Sequence, residues 1–125
     1  MSNHENPHML PKVRSDAIMR AAEGEVCQLR ISNFLPGHRC SGADTSVMAH
    51  PPGLGKGLST KVSDLGTIIA CHNCHNLLDG VDERWQILAD KYPAAVQQQI
   101  LIGVLATLAI LVEKEVIVVP DGEII

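Results

Sequence analysis

Four cysteines constrain this chain more tightly than any other feature: Cys27, Cys40, Cys71 and Cys74. The second two are separated by two residues, a spacing at which one tight turn presents both sulfurs to a single tetrahedral ion. The first two are separated by twelve residues and would supply the remaining corners from a longer loop. Four thiolates fill the coordination of zinc and leave no position for water, so the expected role is structural. Such an ion would staple the segment at Cys27 to the start of whatever follows Cys71. A chain of 125 residues holds one domain and one modest core, to which a staple adds stability.

Competing uses of these cysteines are weaker. Two disulfides need an oxidising compartment, and the opening MSNHENPHML shows no basic end followed by an apolar core. The expected location is therefore cytoplasmic, where a four-cysteine set reads as a metal site. Cys71-His72-Asn73-Cys74-His75 also matches the Cys-x-x-Cys-His pattern of covalent haem attachment. That reading needs export and leaves Cys27 and Cys40 idle. A thioredoxin-like redox pair would open a βαβ unit, and this one does not.

Apolar residues make up 46% of the chain, which is globular rather than disordered in composition. Phe34, Trp85 and Tyr92 are the aromatic residues, so the core is aliphatic and a base-stacking platform for single strands is excluded. A net charge of −4 excludes a general basic coat. The charge is uneven, however: residues 1–61 carry seven Lys/Arg against five Asp/Glu, and residues 62–125 carry three against nine. The half with the basic excess also holds Cys27, Cys40 and His50, which suits a local phosphate-binding face. The longest apolar run, residues 100–112, is shorter than a bilayer requires, and no membrane association is expected.

Along the chain, residues 1–12 read as a flexible arm and residues 13–125 as a single domain. Ser15 is placed to cap a short helix through about Ala22, with Gly24 ending it. Residues 26–31, 45–50 and 67–70 read as short strands, and Pro51-Pro52 stops the second. Residues 53–61 form a glycine-rich loop carrying Lys56 and Lys61, without the spacing of a Walker P-loop. A short helix is expected from His72 to Asp79, closed by Gly80, and another over residues 82–91. A longer helix should follow from Pro93 to Val112, with proline in its first turn. That helix is apolar nearly all round, which predicts burial on both sides, in a core or in a homodimer through residues 93–112. Residues 116–119 read as a last strand. The fold class is α+β, with a compact strand–loop–strand–helix unit over about residues 45–80 and a helical part over about residues 82–119.

That unit carries His50 at the end of one strand, and His75 and Asp79 four residues apart on one face of the following helix. The order His50, loop, strand, Cys71-x2-Cys74-His75 resembles the HNH (His-Me finger, ββα-metal) nuclease motif of the four-cysteine kind. More closely, Cys27-Gln28-Leu29-Arg30-Ile31, Ser46-Val47-Met48-Ala49-His50, the Gly-Lys loop and Thr67-Ile68-Ile69-Ala70-Cys71 through Asp79-Gly80 resemble a small family of prophage-encoded HNH-type nucleases. The resemblance covers about residues 14–84. It implies a zinc-stabilised ββα-metal core and a metal-dependent DNA endonuclease acting in a bacterial host cell on double-stranded or branched DNA.

By the same resemblance His50 takes the general-base position, which suits an imidazole near neutral pH. His75 takes the position that holds a catalytic Mg²⁺ or other divalent ion, with Asp79 as a second ligand. Arg30, Arg39, Lys56 and Lys61 are the candidate DNA contacts. Two positions depart from the motif. Ala49 stands where many HNH enzymes carry a metal ligand, and the central Asn falls near Gly66, leaving Ser63 or Asp64 to brace the loop. The alternative is a zinc-binding module of phage origin that binds DNA or protein without chemistry. His72 reads as solvent-facing, His38 as a loop residue, and His4 and His8 belong to the arm.

Overall fold

The structure, a computed structural model, describes residues 11–52 and 62–125. In chain order these hold α1 (Asp16–Arg20), single turns of 3-10 helix at Ile31–Phe34 and Ala43–Thr45, β1 (Val47–Ala49), β2 (Ile68–Ala70), α2 (His72–Leu78), α3 (Trp85–Lys91) and α4 (Pro93–Glu113). The arrangement is mixed α+β around a two-stranded antiparallel sheet.

Local chemistry sets the helix boundaries. The Ser15 hydroxyl accepts the Ile18 N–H at 3.1 Å, and Asp16 and Arg20 sit where each complements the dipole of α1. Cys71 caps α2 through its sulfur, which accepts the Cys74 N–H at 3.5 Å. The Cys-x-x-Cys half-site and the start of α2 are thus the same turn. The chain leaves α2 through Gly80, at φ 74°. Pro93 opens α4 at a position where it has no helical hydrogen bond to lose.

In the sheet, Val47 lies opposite Ala70 and Ala49 opposite Ile68. Strand alternation sends Ala49, Ile68 and Ala70 into one apolar cluster with Cys71, Cys74 and Leu77. Met48 and Ile69 enter a second cluster with Ile18, Ala22 and Leu111. The outer edge of β2 meets no third strand among the described residues. Instead the Ile69 N–H donates to the Thr107 hydroxyl at 3.0 Å. The Ile69 carbonyl accepts from the Gln28 and Leu29 amides at 2.8 and 3.2 Å, so both edge groups are satisfied. α4 approaches this closely because position 103 is glycine. A Cβ there would stand 2.8 Å from Ile68 Cγ2 and 3.2 Å from the Gln28 carbonyl oxygen.

Three expectations are corrected. Residues 26–31 are not a strand, because Arg30 adopts φ 55° and ψ 17° and turns the chain away after Leu29. Their alternation reflects burial of Cys27, Leu29 and Ile31 without a ladder. Residues 116–119 are not a strand either. The Val116 and Ile117 amides return to the Leu111 carbonyl at 2.9 and 3.2 Å and close the end of α4. Finally, α4 is not buried on both sides by this chain's own core, which corrects the core reading and leaves the homodimer reading untouched. Val96, Ile100, Gly103, Thr107 and Leu111 form its buried stripe, whereas Leu101 and Leu105 are 58% and 57% exposed. At 21 residues the helix is also long and apolar enough to cross a membrane by length and composition, unlike the shorter run read at residues 100–112. Its buried stripe lays it along the sheet edge.

Candidate metal centre and histidine pairs

The four sulfurs converge. The Sγ atoms of Cys27, Cys40, Cys71 and Cys74 all lie within 4.8 Å of one another, the one such group of His, Cys, Asp or Glu ligand atoms among the described residues. No disulfide joins them. Cys40 Sγ and Cys74 Sγ are 3.7 Å apart. Two corners of a tetrahedron with metal–sulfur bonds of about 2.3 Å would be about 3.8 Å apart, so the spacing fits a common ion.

Backbone and hydroxyl groups are aimed at the sulfurs. The Arg30 N–H donates to Cys27 Sγ at 3.4 Å, the Ser32 N–H to Cys74 Sγ at 3.4 Å and the Ser41 N–H to Cys71 Sγ at 3.3 Å. The Ser32 hydroxyl lies 3.2 Å from Cys74 Sγ. Donors placed this way favour the thiolate, the form that binds a metal. The left-handed conformation of Arg30 redirects the chain into the turn at Ile31–Phe34, whose Ser32 N–H reaches Cys74 Sγ. The Arg30 guanidinium holds the chain from outside, Nε donating to the Cys27 carbonyl at 2.9 Å.

Without a cation the cluster cannot ionise fully. A hydrogen bond with Cys74 holds the Cys27 thiol down to about 4 against the opposing effect of burial. Burial, followed by the negative charges of Cys27 and Cys71, pushes Cys40 up to about 12. The Cys74 thiol is pushed far up by its hydrogen bond with Cys27 and by burial. One thiolate thus suppresses its neighbours. A divalent cation among them would reverse that penalty, and this donor set could hold one.

The candidate catalytic residues form two separate pairs. His50 Nε2 lies 3.2 Å from Asp64 Oδ1, with side-chain exposures of 24% and 13%. The pair borders an open cleft of about 590 Å³ shared with Arg14, Ser15, Asp16 and Met19. His75 Nε2 lies 2.9 Å from Asp79 Oδ2 one turn along α2, both about one-third exposed. Each histidine therefore has its own carboxylate. Ala49, ahead of His50, is fully buried in the cluster that contains the cysteines.

A family profile described as "Putative nuclease YbcO" matches residues 16–115. The chain belongs to that family. No curated protein and no solved structure matches it at a significant level. A nuclease family points to nucleic acid as the substrate class, and the matched span includes the four cysteines and both histidine pairs.

Of the candidate DNA contacts, Arg39 is exposed and its carbonyl accepts the Asn73 side-chain amide at 2.9 Å. Arg30 is bound into the cysteine turn, and Lys56 and Lys61 lie outside the described residues. His72, exposed as expected, pairs with Asn76 at 3.1 Å. Sequence reasoning missed Ser32, Ser41 and Thr45. The Ser41 hydroxyl accepts the Asn73 N–H at 2.9 Å and the Thr45 hydroxyl accepts the His72 N–H at 3.0 Å, fixing the first turn of α2. A hydroxyl residue directly after Cys40 was the one local sign.

Proposed function

We propose that this chain is a metal-dependent DNA endonuclease of the HNH type, acting on double-stranded or branched DNA, with His50 as general base and His75 and Asp79 holding a divalent ion. The observation that carries the proposal is the convergence of four cysteines at the junction of β2 and α2 in a member of a nuclease family. The order β1, β2, α2 supports a ββα reading of residues 45–80. Zinc suits the four sulfurs, because it takes four thiolates in a closed tetrahedron.

In this mechanism His50, beside the cleft, takes a proton from a water molecule. The water oxygen attacks the phosphorus, the P–O3′ bond breaks, and the leaving oxygen is protonated from solvent. A divalent ion at His75 and Asp79 would supply charge neutralisation at the phosphate. Arg14 at the cleft, with Arg39, Lys56 and Lys61, would bind the backbone. Incubating the purified protein with plasmid and with branched DNA in Mg²⁺ or Mn²⁺ tests the proposal. Cleavage that is lost in His50→Ala is expected; equal cleavage by wild type and His50→Ala, or none by either across metals and substrates, sinks it.

A second reading is favoured by one observation. Ala49 offers no ligand and is packed in the core, so the chain could be a zinc-stapled DNA- or protein-binding module without chemistry. That reading expects tight zinc and no weaker second site, so divalent-ion binding lost in His75→Ala would contradict it.

A further inference from the structure

We infer that Asp64 is a positioning residue: its carboxylate fixes the ring orientation and tautomer of His50, so that Nε2 carries the proton and Nδ1 the lone pair of the base. The inference rests on the nuclease proposal and adds to it a role for Asp64 toward the base itself, beyond bracing the loop. His50 Nε2 faces Asp64 Oδ1 at 3.2 Å. A carboxylate accepts and cannot donate, so the nitrogen facing it must carry the proton, and the other nitrogen of a neutral ring must carry the lone pair.

Asp64 is itself held from three directions, once at its carboxylate and twice at its backbone. Asp64 Oδ2 accepts the Ser15 N–H at 2.7 Å, the amide that enters α1. The Asp64 N–H donates to the Val13 carbonyl at 2.7 Å, and the Thr67 hydroxyl donates to the Asp64 carbonyl at 2.8 Å. Ser63 adds a fourth tie by accepting the Val13 N–H at 3.1 Å. Residues 13–15 and the turn into β2 therefore fix one oxygen, and the other is left for His50. A part-buried carboxylate locked this way is a fixed acceptor, and a fixed acceptor selects one tautomer of a neighbouring imidazole. The segment ahead of α1 thus acts on the base through Asp64, although it lies nearly fifty residues away in sequence.

The test uses full-length Asp64→Asn, which keeps the side-chain shape and can still accept the Ser15 N–H through its oxygen. Its amide nitrogen donates, so Nε2 becomes the acceptor and the proton moves to Nδ1, where it blocks the base. Expected are a fall in kcat of up to roughly 10⁴-fold, the scale seen when the orienting Asp of a serine-protease triad is replaced by Asn, a KM within about threefold, and unchanged metal content. Nitrogen-15 NMR should report the Nε2–H tautomer of His50 in wild type and Nδ1–H in Asp64→Asn. Asp64→Ala should cut kcat without imposing a single tautomer. Wild-type and Asp64→Asn proteins that cut DNA equally well overturn the positioning role while sparing the nuclease. A wild type that cuts nothing overturns the nuclease reading, and the tautomer spectrum then decides the Asp64–His50 geometry by itself; Nδ1–H in wild type refutes it.

Discussion

At the residue scale, the cysteines decide how stability depends on pH when the metal is removed. Cys27 ionises at about 4 in the folded protein and near the ordinary thiol value when unfolded, so the unfolded chain binds more protons between those limits. Stability of the metal-free form should rise with pH across about 4 to 9. Cys40, at about 12, and Cys74, further up, have the opposite sign. Their folded thiols stay protonated where unfolded thiols ionise, so stability falls as pH climbs from about 9 toward 12. Urea unfolding of the chelated protein at several pH values should show a maximum near pH 9. The metal-bound form, with its sulfurs already thiolates, should lack the alkaline decline; an identical decline in both forms would contradict the assignment of the cluster as the metal site.

At the element scale, the edge of β2 depends on two positions of α4. Thr107→Val keeps the shape but leaves the buried Ile69 N–H without an acceptor, a loss of about 1–3 kcal/mol. Faster amide exchange at Ile69 and a lower urea midpoint are the expected signs. Gly103→Ala places a methyl against Ile68 and the Gln28 carbonyl. Overpacking costs about 1–3 kcal/mol and the helix gains about 1 kcal/mol over glycine, so a net loss near 1 kcal/mol is expected in the same measurement. These contacts explain what the sequence made legible. α1, α2 and α4 were readable because Ser15, Gly80 and Pro93 are local signals. β1 and β2 were readable from their apolar runs, and the cysteines from spacing. Residues 26–31 alternate like a strand, but nothing local announces that the Arg30 amide is needed at Cys27. Thr107 looked like an ordinary helix residue because its partner, Ile69, is 38 residues away. Asp64 could be suspected as a brace for the loop, but its pairing with His50 depends on where residues 13–15 run.

At the scale of the whole molecule, the two apolar clusters share elements, and this sets how the protein should respond to loss of an ion held by the four cysteines. The cysteine-side cluster includes Leu29, Ile31, Ile68, Leu77, Leu88 and Val96, with Trp85 packed against it. The second cluster contains no cysteine and joins α1 to the end of α4. β2 feeds both, through Ile68 and Ile69 on its opposite faces, and α4 feeds both, through Val96 and Leu111. Lys114 ties the second cluster shut, its Nζ bonding the Ala21 carbonyl at 2.9 Å and Glu25 at 2.5 Å. A sheet of three-residue strands has little stability of its own, so neither cluster should persist once the other opens. Chelation should therefore lower the thermal midpoint in one cooperative step. Fluorescence from Trp85, on the cysteine side, and helical circular dichroism, to which the 21-residue α4 is the largest contributor, should move together. Cys74→Ser should reproduce the shift without chelator. Two separated transitions, with Trp85 responding before the helix signal, would instead mean that α1 and the end of α4 hold a unit that stands without the metal.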